Sequence, residues 1–181
     1  MSRSTAEDQR VRTIASAVEV FSIAGYRATP VADVAAAAKI SPAYVFRLFD
    51  GKLGLFVAAV EHCYEQVANA MSAAVEDHPE WSPDDKLDAM TQAYIELIRD
   101  RSLIALQVHA QSACDVPEIQ AAVRSGLALV VRIMSRDSGA DAGAVQRSLA
   151  YGQLCHLVVQ AGLGDVDADW ARVVDHGIRH D

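Results

Sequence analysis

The chain has 181 residues, 51% of them hydrophobic and 22% charged, enough to bury a core and too apolar for a disordered acidic tail. Its 3 cysteines are too few for a disulfide framework, and no run of about 18 apolar residues is present to cross a membrane. The net charge is −8, yet residues 1–55 hold 7 basic and 5 acidic side chains while the rest holds 9 and 19, an asymmetry that permits a nucleic-acid partner at the N-terminal third.

Strand signals are nearly absent, and helical periodicity runs almost throughout, which predicts an all-α fold of about nine helices. Val11, Ile14, Val18 and Phe21 form the apolar stripe of a first helix that Gly25 stops. Thr29-Pro30 reads as an N-cap followed by proline at the first helical position, opening a short helix with Val31, Val34, Ala35 and Ala38 on its inner face. After a tight turn at Lys39-Ile40, Ser41-Pro42 repeats the signal and opens a second short helix through about Leu48. Asp50-Gly51 breaks that helix, and a long one is predicted from about Lys52 to Asp77. The segment His78–Pro83, with two prolines, is the clearest linker. Further helices are predicted over about 84–100, 102–114, 117–136, 142–161 and 169–178. Cys63, Cys114 and Cys155 stand in apolar surroundings at no metal-ligand spacing, as reduced, buried thiols do. With no apolar segment after Met1-Ser2-Arg3-Ser4-Thr5, the expectation is a soluble cytoplasmic protein.

Two short helices joined by a turn, each opened by Thr/Ser-Pro, make a helix-turn-helix pattern. The first must pack on the second through small side chains, and Ala35, Ala36, Ala37 and Ala38 supply them. The second has an inner apolar edge of Val45, Leu48 and Phe49, and an outer edge of Pro42, Ala43, Tyr44 and Arg47 that can enter a major groove. Lys52 stands where its ammonium can join free backbone N–H groups around a phosphate. Thr29 and Ser41, at the two helix starts, complete the candidate DNA-binding set.

Residues Arg12 to Leu55 resemble the TetR family of bacterial transcriptional regulators. The resemblance is carried by Ile14, Ala17 and Phe21, then Gly25-Tyr26 and Thr29, Asp33-Val34-Ala35 and Ala38, Ile40-Ser41, Phe46, Phe49, Lys52 and Leu55. It implies a DNA-binding domain over residues 1–55 and a helical ligand-binding and dimerisation domain over residues 56–181. It further implies a homodimer, a palindromic operator on double-stranded DNA, release by a small-molecule inducer, and repression as the usual outcome. The sequence departs from the family pattern at Lys39, where glycine is common, and at Phe46, where a tyrosine commonly reaches a phosphate. Gly54, early in the long helix, costs up to about 1 kcal/mol of helix propensity.

Tyr94, Ile98, Leu106, His109, Ala110, Ala113 and Cys114 mix apolar walls with polar anchors, as ligand pockets and ordinary cores both do. Leu149, Leu154, Leu157, Val158, Val173 and Val174 offer the last two helices more apolar surface than one subunit needs, and are the candidate dimer interface. His176 and His180 are four apart, but nothing beside them completes a metal site, so no metal or other cofactor is expected. With no phosphate loop, Gly-x-Ser-x-Gly or Glu-x-x-His pair, the chain reads as a binding protein and not an enzyme. The rival reading is a helical ligand-binding or interaction protein that has lost DNA binding.

Overall fold

The protein is described from a computed structural model covering residues 2–176 and 178, with side chains from residue 6 onward. Among the described residues the structure is all helical. The elements are α1 (Ser2–Ala28), α2 (Val31–Ala37), α3 (Pro42–Phe49), α4 (Gly51–Ala73), α5 (Pro83–Leu97), α6 (Arg101–Ser112), α7 (Pro117–Ser138), α8 (Ala142–Gln160), a 3-10 turn (Leu163–Asp165) and α9 (Asp169–Val174).

Several helices end short of their sequence-based bounds, α5 at Leu97 instead of about Asp100 among them. The long helix α4 stops at Ala73, where the backbone tightens into turns before the proline-rich segment, and α9 stops at Val174 instead of Ile178. His180, one half of the histidine pair, lies outside the described residues.

The chain divides into two compact units. The first comprises Met1–Glu65 with Ala105–Leu127, and the second Gln66–Ile104 with Ala128–Asp181. In the first unit, Phe21 meets Phe56 edge-on with ring centroids 4.9 Å apart, and Tyr26 tilts against the same ring at 5.3 Å. Val34, Ala35, Val45, Phe49, Leu55, Leu106 and Ile119 are buried in this unit. Fully burying a large apolar side chain contributes about 1.5–3 kcal/mol.

The first helix does not end at Gly25 but kinks there, with φ 70° and ψ −173°, and continues to Ala28. That backbone conformation is accessible in practice only to glycine. The kink is also a close approach: a Cβ at this position would lie 2.7 Å from His109 Nδ1. Beyond the kink, Arg27 forms an exposed ion pair with Asp115.

In the second unit, α5 and α8 run side by side in the same direction, with Thr91 Oγ1 and Ser148 Oγ 3.1 Å apart and Tyr94 hydrogen-bonded to His156 further along. His156 is only 4% exposed, its Nδ1 has no partner, and burial pushes its imidazole down to about 4. Its folded pKa lies below the unfolded value of about 6.5, so the unfolded state binds more protons between pH 4 and 6.5. Stability is therefore full above about pH 6.5 and falls as the pH drops toward 4, by roughly 3 kcal/mol. Urea midpoints at pH 7.5 and pH 5 should show about 2 kcal/mol of this loss in the wild type, and His156→Phe should remove most of it. An equal pH dependence in both proteins would assign the effect to other groups.

Candidate nucleic-acid interface

The candidate DNA-binding head, built from α1, α2, α3 and the start of α4, is assembled by local chemistry. Ser41 caps α3, its Oγ accepting from the Tyr44 N–H at 3.2 Å, and Pro42 occupies the first helical turn. At the other end Asp50 adopts a left-handed conformation (φ 55°) that closes the helix, with its N–H donating to the Phe46 carbonyl. The turn between α2 and α3 is made by Lys39, also left-handed at φ 55°, so the position that departs from the family's glycine keeps the glycine-like backbone. A non-glycine residue tolerates that region at a modest cost.

At α2 the structure corrects the sequence reading. Pro30, not Thr29, is the N-cap, the helix starts at Val31, and no side chain caps it. Thr29 is instead buried with its hydroxyl unpartnered, so its side chain does not reach the head's outer surface. The inner face is supplied by Val34 and Ala35, while Ala36 and Ala37 face solvent.

On α3, Val45 and Phe49 turn inward. Ser41, Pro42, Ala43, Phe46 and Arg47 are exposed and Tyr44 is half-buried, so the candidate edge faces outward as one strip. The Arg47 guanidinium lies over the Tyr44 ring, 4.4 Å from its centroid, and each fixes the other's position. Phe46 is 56% exposed, on the same outward strip, where the sequence marks it only as a departure from a family tyrosine. A helical wheel places it between Pro42 and Ala43, which is the signal that identifies it.

Two further basic groups, Arg10 and Lys52, have structural partners. Arg10 donates to the Leu48 carbonyl at 2.9 Å and lies over the Phe49 ring, tying α1 to α3. Lys52 Nζ donates to the Arg27 carbonyl at 3.2 Å and sits 5.1 Å from the Tyr26 ring. Partial burial lowers its pKa from the usual lysine value.

The remaining candidates are scattered between the two units. Tyr94 and Ile98 are buried in the second unit, while Leu106, Ala110 and Ala113 are buried in the first. His109 packs on Gly25, and Cys114 Sγ donates to the Ala110 carbonyl at 3.4 Å. A cleft of about 690 Å³ opens in the second unit between α5 and α8, lined by Asp84, Leu87, Asp88, Thr91, Gln92, Ala144, Arg147, Ser148 and Tyr151, none of them a candidate from the sequence. Of the interface candidates, Leu157 is 55% and Val173 77% exposed; Leu149, Leu154 and Val174 are half-buried. Val158 is buried in its own subunit, and Trp170, at 59% exposed, joins the surface although the sequence pattern did not single it out. Among the described residues no group of three or more His, Cys, Asp or Glu side chains is placed to hold a metal, and no helix is long and apolar enough to cross a membrane.

Comparison with known proteins places this head. Residues 14–59 match the family model described as bacterial regulatory proteins, tetR family. A search of curated proteins finds no match. Among solved structures, a TetR transcriptional regulator from Legionella pneumophila is similar at a TM-score of 0.71 and 20% identity, over 93% of this chain and 92% of that one. The transcriptional regulator FadR from Bacillus subtilis, solved in complex with stearoyl-CoA, is similar at a TM-score of 0.69 and 16% identity, over 91% and 93%. A TetR-like transcriptional regulator from Rhodococcus sp. RHA1 is similar at 0.66 and 19%, over 98% of both chains. The helix-turn-helix segment is thus matched by the model of bacterial regulatory proteins of the tetR family, and the whole chain shares the all-α architecture of solved TetR-family regulators.

Proposed function

We propose that the protein is a homodimeric, ligand-responsive transcriptional repressor that binds a palindromic operator and is released by a small-molecule inducer in the bacterial cytoplasm. The observation that carries this reading is the α3 edge: capped by Ser41, closed by Asp50, and presenting Pro42, Ala43, Phe46, Arg47 and the Tyr44 ring outward on a buried apolar base. Residues 1–55 then read DNA, and residues 56–181 hold the inducer and the dimer contact. Arg47 and Lys52 contact phosphates, and Tyr44 contacts a phosphate or a base edge. Ser41 positions α3. The proposed inducer contacts are taken within each unit by itself: Tyr94 and Ile98 in the second, and Leu106, His109, Ala110, Ala113 and Cys114 in the first. Two heads about 34–36 Å apart meet successive major grooves. An inducer acts by binding the non-DNA conformation better, and lowers operator affinity only by that difference.

The test is a gel shift with the upstream region of the protein's own operon, repeated across salt concentrations. Log affinity should fall linearly with log salt, with a shallow slope because each head offers few basic groups. Arg47→Ala and Lys52→Ala should each weaken binding on all sequences alike, and each should lower the slope by about 1 for every phosphate it no longer neutralises. Absence of any specific shift would favour the rival reading of a ligand-binding helical protein without an operator; unchanged slopes in both variants would move the docking surface away from this edge.

A further inference from the structure

We infer that the operator is recognised through the C5-methyl groups of thymines, read by Pro42, Ala43 and Phe46. This rests on the DNA-binding reading above and specifies the chemistry of its partner. At 3.6 residues per turn, these three positions fall within an arc of about 100° on the outer side of α3. All three are exposed, and none has a side-chain donor or acceptor. Beside them, Ser41 Oγ accepts from the Tyr44 N–H and the Arg47 guanidinium lies on the Tyr44 ring, the side chains assigned above to positioning α3 and to phosphate contact.

The major-groove edges of the bases are donors and acceptors with one apolar exception, the thymine methyl. Pressed against a G·C pair, this strip would strip water from base donors and acceptors and return no hydrogen bond. Against thymine methyls it removes two apolar surfaces from water together. Discrimination therefore comes from both sides, penalty and gain. Phe46 makes the case most sharply. More than half of its surface is in water, and its ring reaches across the α3–α4 turn, where a Cβ at Gly51 would touch it at 3.5 Å. Without a hydroxyl it has no hydrogen bond to give a phosphate, so the gain open to it on DNA is apolar.

The experiment uses the full-length protein. Bound sites are first selected from a random duplex library, and each thymine in the selected site is then replaced in turn by deoxyuridine, which removes only the methyl. The selected half-sites should carry thymine at two or more neighbouring positions. Each effective replacement should weaken binding about fourfold, the factor for burying one methylene-sized group, and a symmetric pair roughly fifteenfold. Phe46→Ala, whose side chain is on the surface, should melt as the wild type does, bind the thymine site more weakly, and lose the thymine–uridine difference at the position it reads.

Selected sites without recurring thymine, or uridine replacement that is neutral throughout, would overturn the inference while leaving DNA binding intact. A thymine–uridine difference that persists undiminished in both Phe46→Ala and Ala43→Gly would also overturn it, by assigning the methyls to other residues. If the library yields no specific site at all, the DNA-binding reading itself falls.

Discussion

Leu157→Glu should convert the protein to a monomer and lower operator affinity by about 100-fold or more, the loss of one head's help to the other. Leu157 on α8 is 55% exposed, and Trp170 and Val173 on α9 are more exposed still. Such a set of large apolar groups on two helices of one unit is the surface a second copy would cover. In the proposed dimer, a carboxylate at this seam would be buried without a partner, which costs several kcal/mol. In the monomer the same side chain stands in water on a helix it suits, so the subunit itself should be unharmed. Light scattering and an operator titration on one sample separate the two effects. An intact dimer would put the interface elsewhere on the chain, and a monomeric wild type would remove the two-fold operator model.

What was legible in the sequence was the part of the fold governed by nearest neighbours. Ser41-Pro42 opens α3 as its cap chemistry dictates, and Lys39 takes the left-handed turn that the spacing demands even without glycine. Thr29 shows where local rules stop. Its Thr-Pro pair resembles a cap, yet the Asp33 N–H donates to the Pro30 carbonyl, the helix begins one residue later, and the threonine turns inward. The candidate pocket residues are divided between the two units for a different reason. Alternating apolar and polar side chains along α5 and α6 describe a core as well as a cavity, and sequence spacing does not report which of two compact units a helix segment packs into. The α5–α8 cleft, whose lining is mostly polar and charged, carries no periodic signature that separates it from a solvated face. Phe46 stands out in the sequence for its missing hydroxyl, and that departure conceals the more informative fact of its outward position between Pro42 and Ala43.

Gly54 is where the sequence recorded a cost and the structure supplies its cause. A glycine near the start of a long helix sacrifices up to about 1 kcal/mol relative to alanine, so by propensity alone Gly54→Ala should stabilise the protein. The opposite is expected. The left-handed turn at Asp50 folds the end of α3 back over the first turn of α4, and a Cβ at position 54 would overlap the Phe49 carbonyl oxygen, with the carbonyl carbon 3.0 Å away. These are backbone atoms, so no rotamer change relieves the overlap; α3 and α4 must separate. That displacement would strain the packing of Phe49 and Leu55, both buried, and with it the Arg10 hydrogen bond to the neighbouring Leu48 carbonyl. Overpacking against a fixed backbone destabilises by roughly 3 kcal/mol, which for a chain of this length lowers the melting temperature by about 6–12 °C. Because the reading helix is one of the two elements forced apart, operator affinity should fall along with stability. The measurement pairs a thermal melt with an operator titration well below the melting temperature. A variant that melts at or above the wild type would show that the helical gain outweighs the overlap, and that the α3–α4 junction is looser than the close approach of Phe49 requires.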